Sequence, residues 1–277
     1  MKIFCRLVIL FIIVVSSSCT KEKKEISKIK EIDQLSEITT TYKEAIKSLD
    51  EGDAFYAAKK FLEVELLYPQ SIWAPKSILM ASYSYYIQDY YPEAIFNLER
   101  FIKIYPTDQR IDYVYYLLAM CHYENIEGEK KDLEPLLIAK NYFTILVEKY
   151  PSTDFAMDGK FKIGLINTIL ASKEMYLGKH YIKKEKWIPA INRFKIILKD
   201  YETTIYAEEA LHRLVEIHYK IGLVDESKKY ASLLGYNYLS GEWYKKSYKI
   251  FNKKYKTKET EIKKEKKNLI KKFKKLF

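Results

Sequence analysis

Cys19 is the residue that most constrains the chemistry of this chain. It follows Ser16, Ser17 and Ser18, which in turn follow an apolar run from Leu7 to Val15. Lys2 and Arg6 place positive charge before that run, which at nine residues is too short for a transmembrane helix of about 20. Positive residues, a short apolar stretch and small residues are the parts of a secretory signal, so residues 1–18 are expected to be removed. A thiol at the new N-terminus offers one particular reaction, because a thiolate is nucleophilic enough near neutral pH to form a thioether. Cys19 is therefore a candidate for modification at its thiol, and an ordinary secretory signal followed by a free thiol is the alternative. Cys5 leaves with the signal, and modification of Cys19 would make Cys121 the only remaining thiol, so no disulfide is expected within the chain. A Cys19–Cys121 pair is the rival use of both.

Other combinations that could do chemistry are absent or bland. His122, His180, His212 and His218 form no His-Glu-x-x-His, and His212 and His218 stand about 240° apart on a helix. All four are expected to be exposed or half-buried helical residues. Gly159 and Gly164 match neither a phosphate loop nor a dinucleotide fingerprint. The pairs Glu63/Glu65 and Glu208/Glu209 lie in charged helical settings and read as solvated faces without distinct partners. No catalysis, metal or cofactor is expected.

The elements that must carry these residues are helices. An Ala is followed by a large apolar residue at +4, a Tyr at +11 and a helix-stopping position at +12 in Ala57-Phe61-Tyr68-Pro69, Ala94-Leu98-Tyr105-Pro106, Ala139-Phe143-Tyr150-Pro151 and Ala190-Phe194-Tyr201-Glu202. At about 100° per residue the three conserved-type positions share one helix face. The Ala admits a neighbouring helix closely, the aromatic or Leu fills the space beside it, and Pro ends the helix and pushes the preceding Tyr out of the α region. Four copies are the signature of a repeat protein. The expected fold is all-α, an α-solenoid of about five tetratricopeptide-like helix pairs over residues 40–244. The helices are expected at about 40–50 and on to Tyr68, Ser71–Gln88 and Pro92–Tyr105, Asp108–Tyr123 and on to Tyr150, and Asp154 to about Lys179 with its partner. A fifth pair without the Ala/Phe motif, Tyr206–Ile221 and Asp225 to about Tyr238, closes the array. Ala-to-Ala intervals of 37, 45 and 51 residues depart from the ideal 34 through an inserted loop, Glu124–Glu134, and a lengthened helix after Asp154.

The net charge of +11 is a property of one end. Residues 245–277 hold fifteen Lys and three Glu, so the other 244 residues sum to −1. A near-neutral body excludes a nucleic-acid binder as the main reading. Residues 19–39 read as a lipidated N-terminus and tether. In the tail, Ile262, Leu269, Ile270, Phe273 and Phe277 form one helical stripe among lysines. That fits a basic amphipathic helix on an anionic membrane or acidic partner, and a solubilising tail equally well. Tyr83, Tyr85, Tyr86, Tyr113, Tyr115 and Tyr116 lie on two consecutive first helices of pairs, where repeat arrays present a binding face.

Two resemblances add to these readings. Small residues ending on Cys19 resemble the lipobox of bacterial lipoproteins, in which the Cys receives a diacylglyceryl group. With Thr20 following, in place of an Asp, the similarity leans toward the outer membrane. The stretch FLEVELLYPQSIWAPKSILMASYSYYIQDYYPEAIFNLERFIKIYPTDQRIDYVYYLLAMCHY, residues 61–123, with LGYNYLSGEWYKKSYKIF, residues 234–251, resembles the BamD family, the lipoprotein subunit of the outer-membrane β-barrel assembly machine. The closing segment has Leu239 where that family usually has Pro. The resemblance implies a non-catalytic scaffold on the periplasmic face of the outer membrane. It implies partners: the periplasmic domains of BamA, accessory subunits such as BamE, and nascent β-barrel proteins ending in aromatic residues. It would place substrate contact on Tyr83, Tyr86 and Tyr113, and BamA contact on Tyr219 and Lys220, the latter equally readable as a cation at a helix C-terminus. The alternative is another tetratricopeptide lipoprotein, an adaptor for cell-wall or cell-division enzymes. An enzyme supported by the solenoid is the remaining rival.

Overall fold

The computed structural model describes residues 26–125, 133–239 and 241–252. The signal segment, Cys19, most of the inserted loop and the Lys-rich tail from residue 253 lie outside the described residues. Everything described is helix or short turn, in the order α1 (Ile26–Asp50), α2 (Ala54–Leu67), α3 (Ala74–Tyr86), α4 (Tyr91–Ile104), α5 (Ile111–Glu124), α6 (Glu134–Lys149), α7 (Asp154–Lys183), α8 (Trp187–Asp200), α9 (Tyr206–Lys220), α10 (Val224–Asn237) and α11 (Glu242–Phe251). The fold is an all-α helical repeat. The described residues form two compact units, one ending at residue 90 and the other beginning at residue 91, so the second pair in sequence, α3 and α4, is divided between them.

The repeated motif does what its residue types demand. Ala57, Ala94, Ala139 and Ala190, and with them Phe61, Leu98, Phe143 and Phe194, are all 0 % exposed. The motif tyrosines cap their helices. The N–H groups of Tyr68, Tyr105, Tyr150 and Tyr201 donate to the carbonyls of Val64, Phe101, Leu146 and Ile197, at 2.8 to 3.1 Å. Tyr68, Tyr150 and Tyr201 have left the helical region, with φ near −130° or below. Two positions of the motif, the small buried residue and the capping Tyr, recur in α10, with Ala231 in place of the large apolar residue. Tyr238 caps α10 at Leu234, and Ser227, eleven residues earlier, takes the Ala position fully buried. Its hydroxyl donates to the Val215 carbonyl at 2.8 Å, which satisfies the polar atom that an Ala would lack.

In the first unit α1 and α3 both pack on α2. Tyr42, Ala45, Ala57, Ala58, Phe61 and Ala81 make its core. The turn between α1 and α2 uses Gly52 at φ +90°, a conformation costly to any residue with a Cβ. Asp53 then caps α2 by accepting from the Tyr56 N–H at 3.0 Å. In the second unit α7 is the central element. At 30 residues it is about 45 Å long, and it contacts α5, α6, α8 and α9. Ala171, Met175, Phe194, Leu214 and Ile217 bring α7, α8 and α9 into one apolar cluster.

Four expectations change. The first helix begins at Ile26, not near Thr40, and Ile38 is buried, so part of the presumed tether belongs to the repeat body. The body also runs past residue 244, because α11 packs on α9 and α10 and buries Ser247. His212 and His218 are buried rather than exposed or half-exposed, since each has a hydrogen-bond partner inside: the Ser247 hydroxyl and the Leu214 carbonyl. Glu65 and Glu209 are buried as well, and Glu209 has distinct cationic partners.

Candidate functional site

The first unit carries an aromatic surface on α3 and the start of α2. Tyr83 and Tyr86 stand one turn apart on α3 and are half-buried. On the same helix Tyr85, and after it Tyr90, meet the Phe55 ring edge to face, at 6.2 and 4.4 Å between centroids. Phe55, Ile87 and Tyr90 are exposed. Sequence reasoning passed over Phe55 and Tyr90, which sit at a helix start and in a turn; their signal was being aromatic where turn residues are normally polar.

In the second unit Tyr113 belongs to a packed aromatic cluster, with Tyr116 at 6.5 Å and Phe155 at 5.0 Å. The Tyr116 hydroxyl donates to Asp158 Oδ2 at 2.9 Å. Burial first, and then the Asp158 carboxylate, push the Tyr116 phenol above its ordinary value, so it remains a neutral donor. Tyr113 is thus one member of an inter-helix contact between α5 and α7 rather than an isolated ring on a face.

Tyr219 and Lys220 end α9 and point to different neighbours. Tyr219 is exposed and meets Phe251 of α11 edge to face, 5.6 Å between centroids and 90° between planes. Lys220 Nζ lies 4.4 Å from the centroid of the Trp187 ring, at the start of α8. That cation–π contact is a partner which the C-terminal dipole alone would not supply.

Between α9 and α11 lies an ionic network that sequence reasoning missed. Glu209 accepts from Lys179 at 2.7 Å and from Arg213 at 2.9 Å, and Arg213 also reaches Glu216 at 2.7 Å. His212 bridges Glu216, at 3.3 Å, and the Ser247 hydroxyl, at 2.8 Å. The Trp243 ring packs against His212 and is flanked by Arg213 and by Lys246, the latter 3.9 Å from its centroid. Burial would raise the Glu216 carboxyl, but His212 and Arg213 override it and hold it at about 2. For Glu209, burial is likewise overcome by Lys179 and Arg213, and its carboxyl is lowered. Every acid here is balanced by a base, so the network docks one helix on another and leaves no group poised to exchange a proton with a substrate.

Among the described residues no group of three or more His, Cys, Asp or Glu could hold a metal ion, and no helix is long and apolar enough to cross a membrane. Cys121 is buried, and burial pushes its thiol up to about 12, far from reactive.

What the described residues offer is aromatic surfaces on a helical repeat, with an ionic network that joins α7, α9 and α11. The model of the YfiO family, described as outer membrane lipoprotein, matches residues 35–234, from within α1 to within α10. The chain is 38% identical over 218 residues to the outer membrane protein assembly factor BamD of Rickettsia prowazekii, covering 79% of this chain and 87% of that one. It is 38% identical over 211 residues to the BamD of Caulobacter vibrioides, covering 76% and 69%. With the BamD of Vibrio cholerae identity is 27% over 206 residues, covering 71% and 86%. This chain belongs to the YfiO family. The family match stops at Leu234, so α11 lies beyond it.

Proposed function

We propose that this chain is the scaffold subunit of an outer-membrane protein assembly complex, held at the periplasmic face of the outer membrane by lipid on Cys19. The observation that carries the reading is 38% identity, over 79% of the chain, to a relative named as an outer membrane protein assembly factor. The Ser16-Ser17-Ser18-Cys19 junction supports the anchor. Two linked acyl and diacylglyceryl attachments hold far better than one chain, at about 0.8 kcal/mol per buried CH₂.

The partners of this reading are the periplasmic domains of BamA, subunits such as BamE, and nascent β-barrel proteins. Tyr83 and Tyr86, half-buried on the α3 helix, suit the aromatic end of a nascent strand. Tyr113 is assigned to the same role through its half-exposed ring. Tyr219 and Lys220 are assigned to BamA, and the Lys-rich residues 253–277 to the anionic membrane surface. Affinity purification from solubilised outer membrane tests the proposal. BamA should be the main co-purifying protein, and Cys19→Ser should move the chain from the membrane to the soluble periplasmic fraction. Cell-wall hydrolases in place of BamA would overturn the assembly role, and an unmoved Cys19→Ser chain would overturn the anchor.

A further inference from the structure

The second unit carries an apolar strip that its own helices leave uncovered. Met157, Phe161, Leu165, Ile169 and Tyr176 fall within an arc of about 120° on α7 and run along about 28 Å of it. Met157 is 74% exposed, Phe161 64% and Tyr176 61%. The far end of the strip enters a groove of ≈ 410 Å³, walled by Ile169, Ser172, Tyr176 and Leu177 of α7 and by Tyr206 at the start of α9. An aromatic and aliphatic strip that ends in a concave, hydroxyl-bearing groove suits a polypeptide, whose backbone needs hydrogen-bond partners; a flat lipid surface cannot enter it.

The charge along the same helix is unbalanced. Five Lys stand on α7 against Asp154, Asp158 and Glu174. Lys179 is paired with Glu209 at 2.7 Å, and Glu174 accepts from Arg193 at 3.1 Å. Asp158 accepts from Tyr116. Lys160 and Lys183 are exposed, and Lys173 lines the groove. A cationic rim on an apolar strip selects for acidic groups beside apolar ones, because opposite potentials steer encounter and reject like charge.

We propose that the strip on α7 and the groove at Tyr206 form a docking site for an acidic amphipathic polypeptide segment. An extended stretch of about eight residues spans the strip at about 3.4 Å per residue, its apolar side chains on Met157, Phe161 and Tyr176 and its carboxylates toward the lysines. The site contains none of the residues assigned above to BamA and nascent chains, although Tyr113 meets α7 at Phe155 near its start, and it stands whether or not those assignments do.

The test uses the full chain in detergent and a fluorescent ten-residue peptide alternating Phe or Leu with Glu, with anisotropy as the readout. A matched peptide carrying Lys in place of Glu and vesicles of phosphatidylglycerol are the competitors. The acidic peptide should bind, and raised salt should weaken it. The surface pair Phe161→Ser with Tyr176→Ser should weaken it about tenfold or more. The charge reversal Lys160→Glu with Lys183→Glu, also at exposed positions, should act in the same direction without touching the apolar strip. Equal binding of the Lys peptide, indifference to both pairs of substitutions, or no binding overturns the proposal. Displacement of the peptide by vesicles, or vesicle binding that the substitutions abolish, makes the strip a membrane contact and overturns it too.

Discussion

Replacing Gly178 and Gly164 by Ala, one at a time, should shift stability in opposite directions although both lie inside α7. A Cβ built on Gly178 comes 2.5 Å from Phe194 Cε1 and 2.6 Å from Cζ. Carbon atoms pack best at about 3.5–4.0 Å, so the ring must retreat by about 1 Å. It has nowhere to go, being 0% exposed and enclosed with Met175, Ile197, Ala210 and Leu214. Overpacking of this kind costs about 1–3 kcal/mol. At Gly164 a Cβ meets nothing within 4 Å. Both substitutions gain up to about 1 kcal/mol from helix propensity and a less flexible unfolded chain. Gly164→Ala should therefore stabilise by about 0.5–1 kcal/mol, and Gly178→Ala should destabilise by about 1–2 after that gain. The two differ by the overpacking cost of about 1–3 kcal/mol, so at about 2–4 °C per kcal/mol for a chain of this size the melting temperatures should differ by about 2–12 °C. Thermal denaturation followed by circular dichroism reads this directly. Phe194→Leu in the Gly178→Ala background should recover part of the loss, giving a coupling of about 1 kcal/mol. If Gly178→Ala stabilises as much as Gly164→Ala, the close approach of α7 and α8 at this point is refuted.

Three further outcomes are expected. His212→Ala leaves the Ser247 hydroxyl without its 2.8 Å partner and weakens the docking of α11 by about 1–3 kcal/mol; hydrogen exchange should accelerate in residues 242–251 and remain unchanged in α2. Because the folded Glu216 carboxyl is held at about 2, below its ordinary 4.5, its contribution is present above about pH 4.5 and lost as pH falls toward 2; the urea midpoint should drop through that window, and less so in Glu216→Gln. In a chain beginning at Thr20, Cys121 should resist iodoacetamide at pH 8 and react at once in urea, since burial keeps the thiol protonated; fast labelling of the folded chain would contradict its enclosure.

What was legible in the sequence is the part where one residue type serves one need. Ala at a close helix contact, a large side chain one turn on, and Tyr-Pro at a helix end carry their geometry with them, and those positions are buried or capping in the structure. The illegible parts are places where two needs meet in one residue. Ser227 looked polar, but a single hydrogen bond to Val215 lets it serve as the small buried residue of α10. His212 and Glu209 looked solvated because charge on a helix usually is, and only the arrival of α11 and of Lys179 encloses and balances them. The lysines from position 245 masked α11, although Trp243, Ser247 and Phe251 recur at helical spacing. At the other end, Lys- and Glu-rich residues before Thr40 read as tether. They are good helix formers, and burial of Ile38, Tyr42 and Ala45 anchors the helix. Of the candidate surfaces, Tyr219 was placed correctly on its helix, while its ring contact with Phe251 required the helix that the lysines hid.

The length of α7 bears on how the second unit comes apart. A regular repeat array links each unit only to its neighbours, so it can fray from an end one repeat at a time. Here a single helix touches α5 and α6 on one side and α8 and α9 on the other. None of those four can peel away without exposing a face of α7, and α7 cannot unravel without releasing all four. Because α7 shares faces with both helices of the third pair, with α8 and with α9, the amides of these helices should exchange with solvent more nearly together than those of α10, which packs on α9 and α11 instead.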